Sequence, residues 1–363
     1  MKFVFRTDAS VEIGTGHVMR CLTLADALRE RGAQTLFICR PHRGHMLEHI
    51  RARGHELRVM SPAADACAAA SAGDTPHSAW LGVQWDVDAR ETLQLIGGER
   101  VDWLVVDHYA LDRRWERELR QACRRIMIMD DLADRSHDCD LLLDPTLGRK
   151  HADYTTLVSR NTKMFSGPQY ALVRPEFAMR RAESLARRVE PELRHLLVTM
   201  GGIDKGNATG LVLDALDVSS LPPHLRVTVV MGTAAPWLSV IQERASKMRL
   251  ATDVRVRVDN MAGLMANSDL AIGAAGGTSW ERCCMGLPTI QLVLAANQKV
   301  IADRLASVGA VTYANEITLR KILETLSNAD WANQSADQSR IASKITDGLG
   351  AERMAENLLG FMW

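Results

Sequence analysis

The feature that most constrains the fold is a regular alternation of short apolar runs with helical patterns in the first half of the chain. The apolar runs predict strands over Lys2–Arg6, Gln34–Cys39, Glu56–Met60, Asp102–Val106 and Arg125–Met129. The intervening patterns predict helices over Gly16–Arg31, Arg43–Arg53, Asp86–Gly97 and Arg113–Cys123. Such an alternation indicates a doubly wound parallel sheet of the α/β class.

A second alternating series follows in the other half of the chain. It predicts strands over Leu196–Met200, Val227–Met231, Val254–Val258, Leu270–Ile272 and Thr289–Leu292. Between the two series lies the proline-containing stretch Asp144–Pro191, where we expect an interdomain linker near Ala171–Arg174. The alanine-rich segment Ala63–Gly73 is typical of a surface excursion within the first domain. A length of 363 residues suits two domains, each with its own core.

Charge and composition argue against several classes of protein. Lys plus Arg and Asp plus Glu both number 44, whereas a nucleic-acid or membrane-surface protein would carry an excess of basic residues. No apolar run approaches the length of a membrane-spanning helix, and the chain begins directly with a predicted strand, so we expect a cytoplasmic protein. The seven cysteines include no CxxC pair, which favours buried thiols over disulfides or a zinc site.

The loop after the first predicted strand is the first candidate for chemistry. It ends in Gly14-Thr15-Gly16-His17, directly before the first predicted helix. Glycines allow a tight turn and a close approach of the backbone to a ligand, and helix N-terminal N–H groups favour anions. The positive end of the helix dipole disfavours a second proton on an imidazole placed there, so His17 is a candidate general base.

Two glycine turns follow predicted strands of the second half. Gly273–Ser279 leads from a strand into a helix, which is typical either of a phosphate cradle or of close packing alone. Glu281 lies just inside that helix, where an acid either accepts hydrogen bonds from a ribose or complements the helix dipole. Met200–Asp204 is a similar turn, in which Asp204 is suited to cap the next helix. Ligands of open α/β sheets bind at this edge.

Polar residues also follow two strands of the first half. Asp107-His108-Tyr109 indicates a cleft, although Asp107 and His108 are equally suited to pair within a turn. Asp130-Asp131 is weak evidence for a metal site, because no nearby histidine or third acid completes a ligand set; helix capping is the preferred interpretation.

Taken together, these residues resemble one known family, that of the UDP-2,4-diacetamido-2,4,6-trideoxy-β-L-altropyranose hydrolase of pseudaminic acid biosynthesis, with the related spore-coat polysaccharide proteins. The resemblance covers about residues 1–310. It rests on Arg6, Asp8, Gly14, Gly16, His17 and Arg20, on Asp107-His108-Tyr109, on Tyr170–Arg174 before Phe177, on Met200-Gly201-Gly202 and Asp204 with one residue inserted, on Gly276-Gly277 and Glu281, and on Asn297-Gln298. More distantly, the second half is similar to the nucleotide-binding domain of GT-B glycosyltransferases such as the lipid II synthase of the peptidoglycan pathway.

The resemblance implies a GT-B architecture, with two Rossmann-like doubly wound domains facing across a cleft. It implies an N-terminal domain over 1–170, a UDP-binding domain over 175–340 and a final helix, within 341–363, that returns to the first domain. The implied reaction is hydrolysis of the family's UDP-sugar to UDP and 2,4-diacetamido-2,4,6-trideoxy-L-altrose, in a pathway that serves flagellin glycosylation. The family needs no metal and no other cofactor, and we expect a monomer. Residues beyond about 315 lie outside the shortest form of the family and receive no role.

The resemblance also assigns site residues. The catalytic general base falls on His17. The UDP-binding positions fall on Gly276, Gly277, Thr278 and Glu281. The substrate-binding positions fall on Arg6, Asp8, Gly14, Gly16, Arg20, Tyr109, Arg174, Gly201, Gly202, Asn297 and Gln298. Because UDP is a good leaving group, one base that deprotonates water suffices, and a pair of carboxylates is not required.

Three alternatives stay open from the sequence. A GT-B glycosyltransferase would use the same donor site with a sugar or lipid acceptor, for which Arg40, His42 and Arg43 form only a faint basic patch. A hydrolysing UDP-N-acetylglucosamine 2-epimerase would need acidic catalytic residues that the sequence does not make evident. A non-catalytic sugar-nucleotide-binding protein would keep Gly276-Gly277 but would not need a histidine at position 17. Release of UDP with and without an acceptor distinguishes hydrolysis, transfer and binding alone.

Overall fold

The computed structural model describes residues 1–63, 75–326 and 330–361. The chain forms two compact units, one of Met1–Leu172 with Ala351–Trp363 and the other of Val173–Gly350. From residue 64 onward, the predicted excursion over Ala63–Gly73 lies outside the described residues.

The first unit is built on a parallel sheet of seven strands in the order β3-β2-β1-β4-β5-β6-β7. The strands are β1 (Lys2–Thr7), β2 (Gln34–Cys39), β3 (Glu56–Val59), β4 (Val101–Asp107), β5 (Cys123–Met129), β6 (Leu141–Asp144) and β7 (Lys163–Ser166), and the helices between them are α1 (Gly16–Glu30), α2 (Leu47–Ala52), α3 (Trp85–Ile96) and α4 (Arg113–Leu119). The strand order reverses between β1 and β4, whose register aligns Thr7 with Asp107. The loops at the carboxyl ends of β1 and β4 therefore meet at the switch point of the sheet, where open α/β sheets bind ligands.

The second unit repeats this plan with a six-stranded parallel sheet in the order β10-β9-β8-β11-β12-β13. Its elements are α5 (Pro175–Arg187), β8 (His195–Thr199), α6 (Ala208–Asp217), β9 (Arg226–Met231), α7 (Leu238–Ala245), β10 (Ala251–Val256), α8 (Met261–Ala266), β11 (Leu270–Ala274), α9 (Thr278–Cys284), β12 (Thr289–Leu292), α10 (Lys299–Ser307), β13 (Thr312–Ala314), α11 (Glu316–Thr325) and α12 (Trp331–Ala342). The switch point lies between β8 and β11, so the two glycine turns that follow these strands share one edge.

The last helix, α13 (Gly350–Leu359), contributes to the core of the first unit. Met354, Ala355 and Leu358 are fully buried in the same apolar cluster as Phe3 and Trp103. Burial of several large apolar groups on one helical face is the main stabilisation available to a short helix, because helices of this length are marginal alone.

The doubly wound parallel sheets predicted from the alternation are confirmed, with differences at the shorter elements. The helix predicted over Arg43–Arg53 is only Leu47–Ala52, because Gly44 turns the chain with a φ of 85° just before it. The strand predicted over Val254–Val258 is Ala251–Val256 and ends before Arg257, whose φ is 56°. Strands β6, β7 and β13 have only three or four residues each and were not predicted from the sequence.

Candidate functional site

The loop between β1 and α1 closes on itself and sets the start of α1. Gly14 donates its N–H to the Ser10 carbonyl at 2.8 Å, and the Ser10 hydroxyl accepts the N–H of Ile13 at 2.9 Å. Gly14 has a φ of 80°, a conformation that a residue with a Cβ adopts only under strain. His17 follows as the second residue of α1. The turn therefore fixes the position of His17 at the start of α1.

His17 meets Asp107, the last residue of β4. Its Nδ1 lies 2.6 Å from Asp107 Oδ1, and the Asp107 side chain is fully buried. Burial alone would raise the pKa of Asp107, but the adjacent Arg20 guanidinium and His17 hold it well below its usual range. The carboxylate is therefore ionised and acts only as an acceptor, so that Nδ1 carries the proton it donates. In the neutral imidazole this tautomer leaves Nε2 with a free lone pair, as a general base requires.

Arg20 joins this pair to a second acid, Asp131. Its Nε and Nη2 donate to the two oxygens of Asp107 at 2.5 and 2.6 Å, and its Nη1 donates to Asp131 at 3.0 Å. The Tyr109 hydroxyl donates to the other oxygen of Asp131. The Tyr109 ring packs edge-on against the His17 ring, with centroids 4.5 Å apart. These five side chains, His17, Asp107, Arg20, Asp131 and Tyr109, form one cluster, here called the His17 cluster.

Two members of this cluster, Asp107 and Asp131, were not predicted from the sequence to be site residues. Asp107 does not pair with its neighbour His108, which lies instead beside Asp8, with the His108 Nε2 and Asp8 Oδ2 atoms 3.4 Å apart. Asp131 does not cap a helix, and neither does Asp130, which is buried against Arg135 at 2.7 Å. The available signal was their position, because each follows or ends a strand at the carboxyl edge of the sheet.

Arg6 and Asp8 lie beneath the loop and are fully buried. The Arg6 guanidinium pairs with Asp8 at 2.7 Å and with Asp88 of α3 at 2.6 Å. Asp8 also accepts the backbone N–H of Arg40 at 2.7 Å. These contacts tie β1, β2 and α3 together, so the packing accounts for both charges without a ligand. Direct contact with a substrate stays a prediction for these two residues, and their burial does not favour it.

In the second unit, the turn after β11 leaves open space above its backbone. An added Cβ at Gly276 or Gly277 would meet no atom within 4 Å, and neither residue has a positive φ. Neither conformation nor packing thus requires glycine at these two positions. By contrast, a Cβ at Gly273 would lie 2.5 Å from Arg282 Nη1. An open glycine pair at the carboxyl edge of the sheet is what close approach of a phosphate needs.

Arg282 lies beneath this turn and holds it from inside the unit. It donates to the Ala274 carbonyl at 2.8 Å and to the Thr278 hydroxyl at 3.2 Å. Burial lowers the pKa of Arg282 to about 10, so the guanidinium is still charged at neutral pH. A buried positive charge under the turn favours a negatively charged ligand above it.

Glu281 lies one turn into α9 and pairs with Arg174. The Arg174 Nη2 atom lies 3.2 Å from Glu281 Oε1, and Arg174 also pairs with Glu176 at 3.1 Å. Burial raises the pKa of Glu281, and Arg174 opposes that shift. The structure therefore brings together two residues that the sequence analysis assigned to sugar and nucleotide separately.

The remaining predicted positions lie at the same edge of the second sheet or soon after β12. Gly201 turns the chain after β8 with a φ of 87°, and Gly202 follows it. Asp204 accepts the N–H groups of Ala208 and Thr209 at 2.8 and 2.9 Å and so holds the start of α6. Asn297 and Gln298 lie in a 3₁₀ turn, Ala296–Gln298, in which Gln298 accepts the N–H of Leu294 at 3.0 Å.

The described residues contain neither a group suited to a metal ion nor a helix suited to span a membrane. No group of three or more His, Cys, Asp or Glu side chains among them is arranged to hold a metal ion. None of the helices in the described ranges combines the length and the apolarity needed to cross a bilayer.

No protein-family model matches the chain. The chain is 26% identical over 312 residues to the UDP-2,4-diacetamido-2,4,6-trideoxy-beta-L-altropyranose hydrolase of Campylobacter jejuni, covering 85% of this chain and 97% of that protein. It is 24% identical over 306 residues to the spore coat polysaccharide biosynthesis protein SpsG of Bacillus subtilis, covering 84% and 80%. It is also 24% identical over 296 residues to an uncharacterised protein of Methanocaldococcus jannaschii; this match covers 80% of the chain but only 55% of that relative.

Solved structures identify the fold. The crystal structure of MurG from Acinetobacter baumannii superposes with a TM-score of 0.68 at 14% identity, covering 99% of both chains. MurG is a GT-B glycosyltransferase, and the chain has the same GT-B fold of two Rossmann-like parallel-sheet domains. At this identity the likeness extends to the fold alone.

Proposed function

We propose that the chain hydrolyses a UDP-sugar to UDP and the free sugar, with His17 as the general base. The observation that carries the proposal is the 2.6 Å contact of His17 Nδ1 with the buried Asp107 carboxylate. Histidine and carboxylate in this relation form a base held in one tautomer; His137 makes the same 2.6 Å contact with Glu116 but is fully buried, whereas the His17 side chain keeps 9% of its surface exposed. The similarity to the C. jejuni hydrolase, over nearly all of that protein, supports the same chemistry.

In the proposed reaction, Nε2 of His17 removes a proton from a water molecule. The water oxygen forms a bond to C1 of the sugar, and the bond from C1 to the β-phosphate oxygen breaks. The electron pair of that bond leaves with UDP, and the imidazolium then returns its proton to solvent. Asp107 stabilises the imidazolium while it exists, without itself taking the proton.

We place the nucleotide on the second unit, with the pyrophosphate against Gly276, Gly277 and Thr278 and with Glu281 at the ribose. The open space over the glycine pair and the buried charge of Arg282 support this assignment. Binding of the ribose would require Glu281 to exchange its contact with Arg174 for the sugar hydroxyls. The guanidinium of Arg174 would then be available to a phosphate.

For the sugar, we propose the 2,4-diacetamido-2,4,6-trideoxy-L-altrose configuration of the C. jejuni relative, in pseudaminic acid biosynthesis. Tyr109 and Asn297 are the proposed sugar contacts. The Tyr109 hydroxyl already donates to Asp131, so a sugar hydroxyl would donate to it or pack on its ring. The reaction is proposed to proceed without a metal ion.

Glycosyl transfer is the second candidate, because the contact between His17 and Asp107 suits it equally well. A histidine held by a carboxylate deprotonates an acceptor hydroxyl as readily as water. The two reactions differ in whether UDP is released when no acceptor is present.

The test is release of UDP from UDP-2,4-diacetamido-2,4,6-trideoxy-β-L-altropyranose, with UDP-N-acetylglucosamine as a comparison substrate, without and then with added sugar acceptors. Hydrolysis predicts turnover without an acceptor and equal amounts of UDP and free sugar. His17→Gln should lower kcat by about 10²–10⁴-fold, the usual contribution of a positioned base. The control His151→Gln, at an exposed histidine of the same unit, should keep full activity. Turnover only with an acceptor would favour transfer, and UDP binding without turnover would overturn both reactions.

A further inference from the structure

Arg20 is the most heavily engaged cation near His17, and its contacts are with acids. Its guanidinium spans both oxygens of Asp107 and also reaches Asp131. Its Nη2 lies only 3.3 Å from Nδ1 of His17, the atom that faces Asp107. The side chain is 20% exposed, whereas Asp107 is fully buried. A planar fork with two parallel bonds is the arrangement that best fixes a carboxylate in one orientation.

The charges around His17 give the bidentate contact of Arg20 with Asp107 a second effect. The titratable groups that face the imidazole are Asp107 at the end of β4, Arg20 on α1, Tyr109 after β4 and, more distantly, His77 before the 3₁₀ turn Ser78–Leu81. Asp131 adds a negative charge on the far side of Arg20. Without the guanidinium, two carboxylates would act on the ring with no cation between them. An uncompensated carboxylate at this distance favours the protonated imidazole, which cannot accept a proton from water.

We propose that Arg20 is a positioning residue that acts through Asp107. It fixes the carboxylate by a bidentate contact and offsets its charge, so that Asp107 orients His17 without converting it into a permanent ion pair. This role replaces the direct substrate contact that the sequence resemblance implies for Arg20. The kinetic part of the inference rests on the proposed function, whereas the histidine titration below does not.

The experiment compares Arg20→Gln, Arg20→Lys and the control Arg29→Gln. Arg29 lies on the same helix but pairs with Asp26 at the surface, away from the His17 cluster. For each full-length variant, kcat and KM for the UDP-sugar are measured from about pH 5 to about pH 9, the range over which imidazole titrates. The ring signals of His17 are followed by NMR over the same range without substrate, and they are assigned by their absence in His17→Gln.

Arg20→Gln should lower kcat at neutral pH by about tenfold or more, because protonated His17 cannot act as a base. KM should change by less than about threefold, because no substrate contact is lost. The acidic limb of kcat/KM and the NMR midpoint of His17 should both move up by about 1–2 pH units, the usual effect of one close charge. Arg20→Lys keeps the charge but loses the bidentate contact with Asp107. The acidic limb of kcat/KM should therefore stay near that of the wild type, while kcat falls. Arg29→Gln should match the wild type throughout.

Three results would overturn the inference. A raised KM in Arg20→Gln, with kcat and the acidic limb unchanged, would make Arg20 a direct substrate contact. An unchanged NMR midpoint of His17 in Arg20→Gln would show that the charge of Arg20 does not affect the imidazole. A midpoint in Arg20→Lys that moves as far as in Arg20→Gln would show the same. If Arg20→Gln does not fold, Arg20→Met, which also removes the charge, replaces it in the titration. If the wild type does not turn over a UDP-sugar, the proposed function fails, and the NMR comparison still decides the role of Arg20.

Discussion

Replacing Asp107 with asparagine separates the orientation of His17 from its presence. In the wild type, the carboxylate accepts the Nδ1 proton at 2.6 Å and two further bonds from Arg20. The asparagine side chain keeps the size but removes the charge, and its amide group can present a donor to Nδ1. A donor there selects the opposite tautomer, in which Nε2 carries the proton and cannot act as a base.

The size of the effect follows from the charges. A carboxylate about 4 Å from an imidazolium stabilises it by about 4 kcal/mol at an effective dielectric constant of about 20. Because Arg20 binds the same carboxylate, we take about half of this, or about 2 kcal/mol, as the stabilisation lost from the transition state. That alone lowers the rate about 30-fold, and loss of the correct tautomer brings the expected fall in kcat to about 10²–10³-fold.

The assay is UDP release with purified Asp107→Asn, together with the affinity for UDP measured by titration calorimetry. UDP affinity should stay within about threefold of the wild type, since a base acting in the chemical step adds little to nucleotide binding. The acidic limb of kcat/KM should move to lower pH, because loss of a negative charge disfavours the protonated ring. Asp102→Asn, on the same strand and bonded to the Lys2 N–H at 2.8 Å, is the matched control. A kcat of Asp107→Asn within about threefold of the wild type would refute the reasoning.

Three further outcomes are expected. Gly277→Ala should leave the melting temperature unchanged or slightly raised, because its Cβ meets open space, yet weaken UDP binding by about tenfold or more in calorimetry; unchanged UDP affinity would contradict the cradle. Glu281→Gln should weaken UDP binding by about 10–100-fold, whereas Glu176→Gln, which also removes a partner of Arg174, should not, and equal effects would contradict the ribose contact. Burial raises the pKa of Asp130, but the Arg135 guanidinium outweighs burial and holds that pKa below its usual range. The ionised acid therefore stabilises the fold above its unfolded pKa, and this stabilisation is lost as pH falls. Asp130→Asn should flatten the acidic side of a plot of unfolding free energy against pH, and an equally steep plot would refute this.

Long apolar runs made most of the fold predictable, because a buried parallel strand has to be apolar on both faces. The central strands begin and end within one or two residues of the predicted bounds, as at Gln34–Cys39 and Thr289–Leu292. The missed strands β6, β7 and β13 lack such a run beyond three or four residues. Their pairing depends on neighbours already present in the sheet and not on their own composition.

The cluster around His17 could be predicted only in part. Polar residues at strand ends predicted the correct edge of the sheet, at the carboxyl ends of the strands. The partner of His17, however, lies 90 residues away in the sequence. Successive side chains of an extended chain point to opposite faces, so Asp107 and His108 cannot meet the same neighbours. Asp107 faces α1 and contacts His17, whereas His108 lies beside Asp8. The alternative interpretation, in which the two adjacent residues pair within a turn, was wrong for this reason.

Burial divides the residues of the N-terminal motif into two kinds that the sequence alone does not distinguish. Arg6 and Asp8 are fully buried with Asp88, whereas the His17 side chain keeps 9% of its surface exposed. Removing one member of a buried ion pair leaves the other charge unpaired and typically costs about 3–5 kcal/mol. A loss of activity on substituting Arg6 or Asp8 would therefore come with a loss of stability, because these side chains hold the base of the loop. The motif thus combines a fully buried support with an imidazole that keeps a small accessible fraction, and we expect only the imidazole to meet a water molecule.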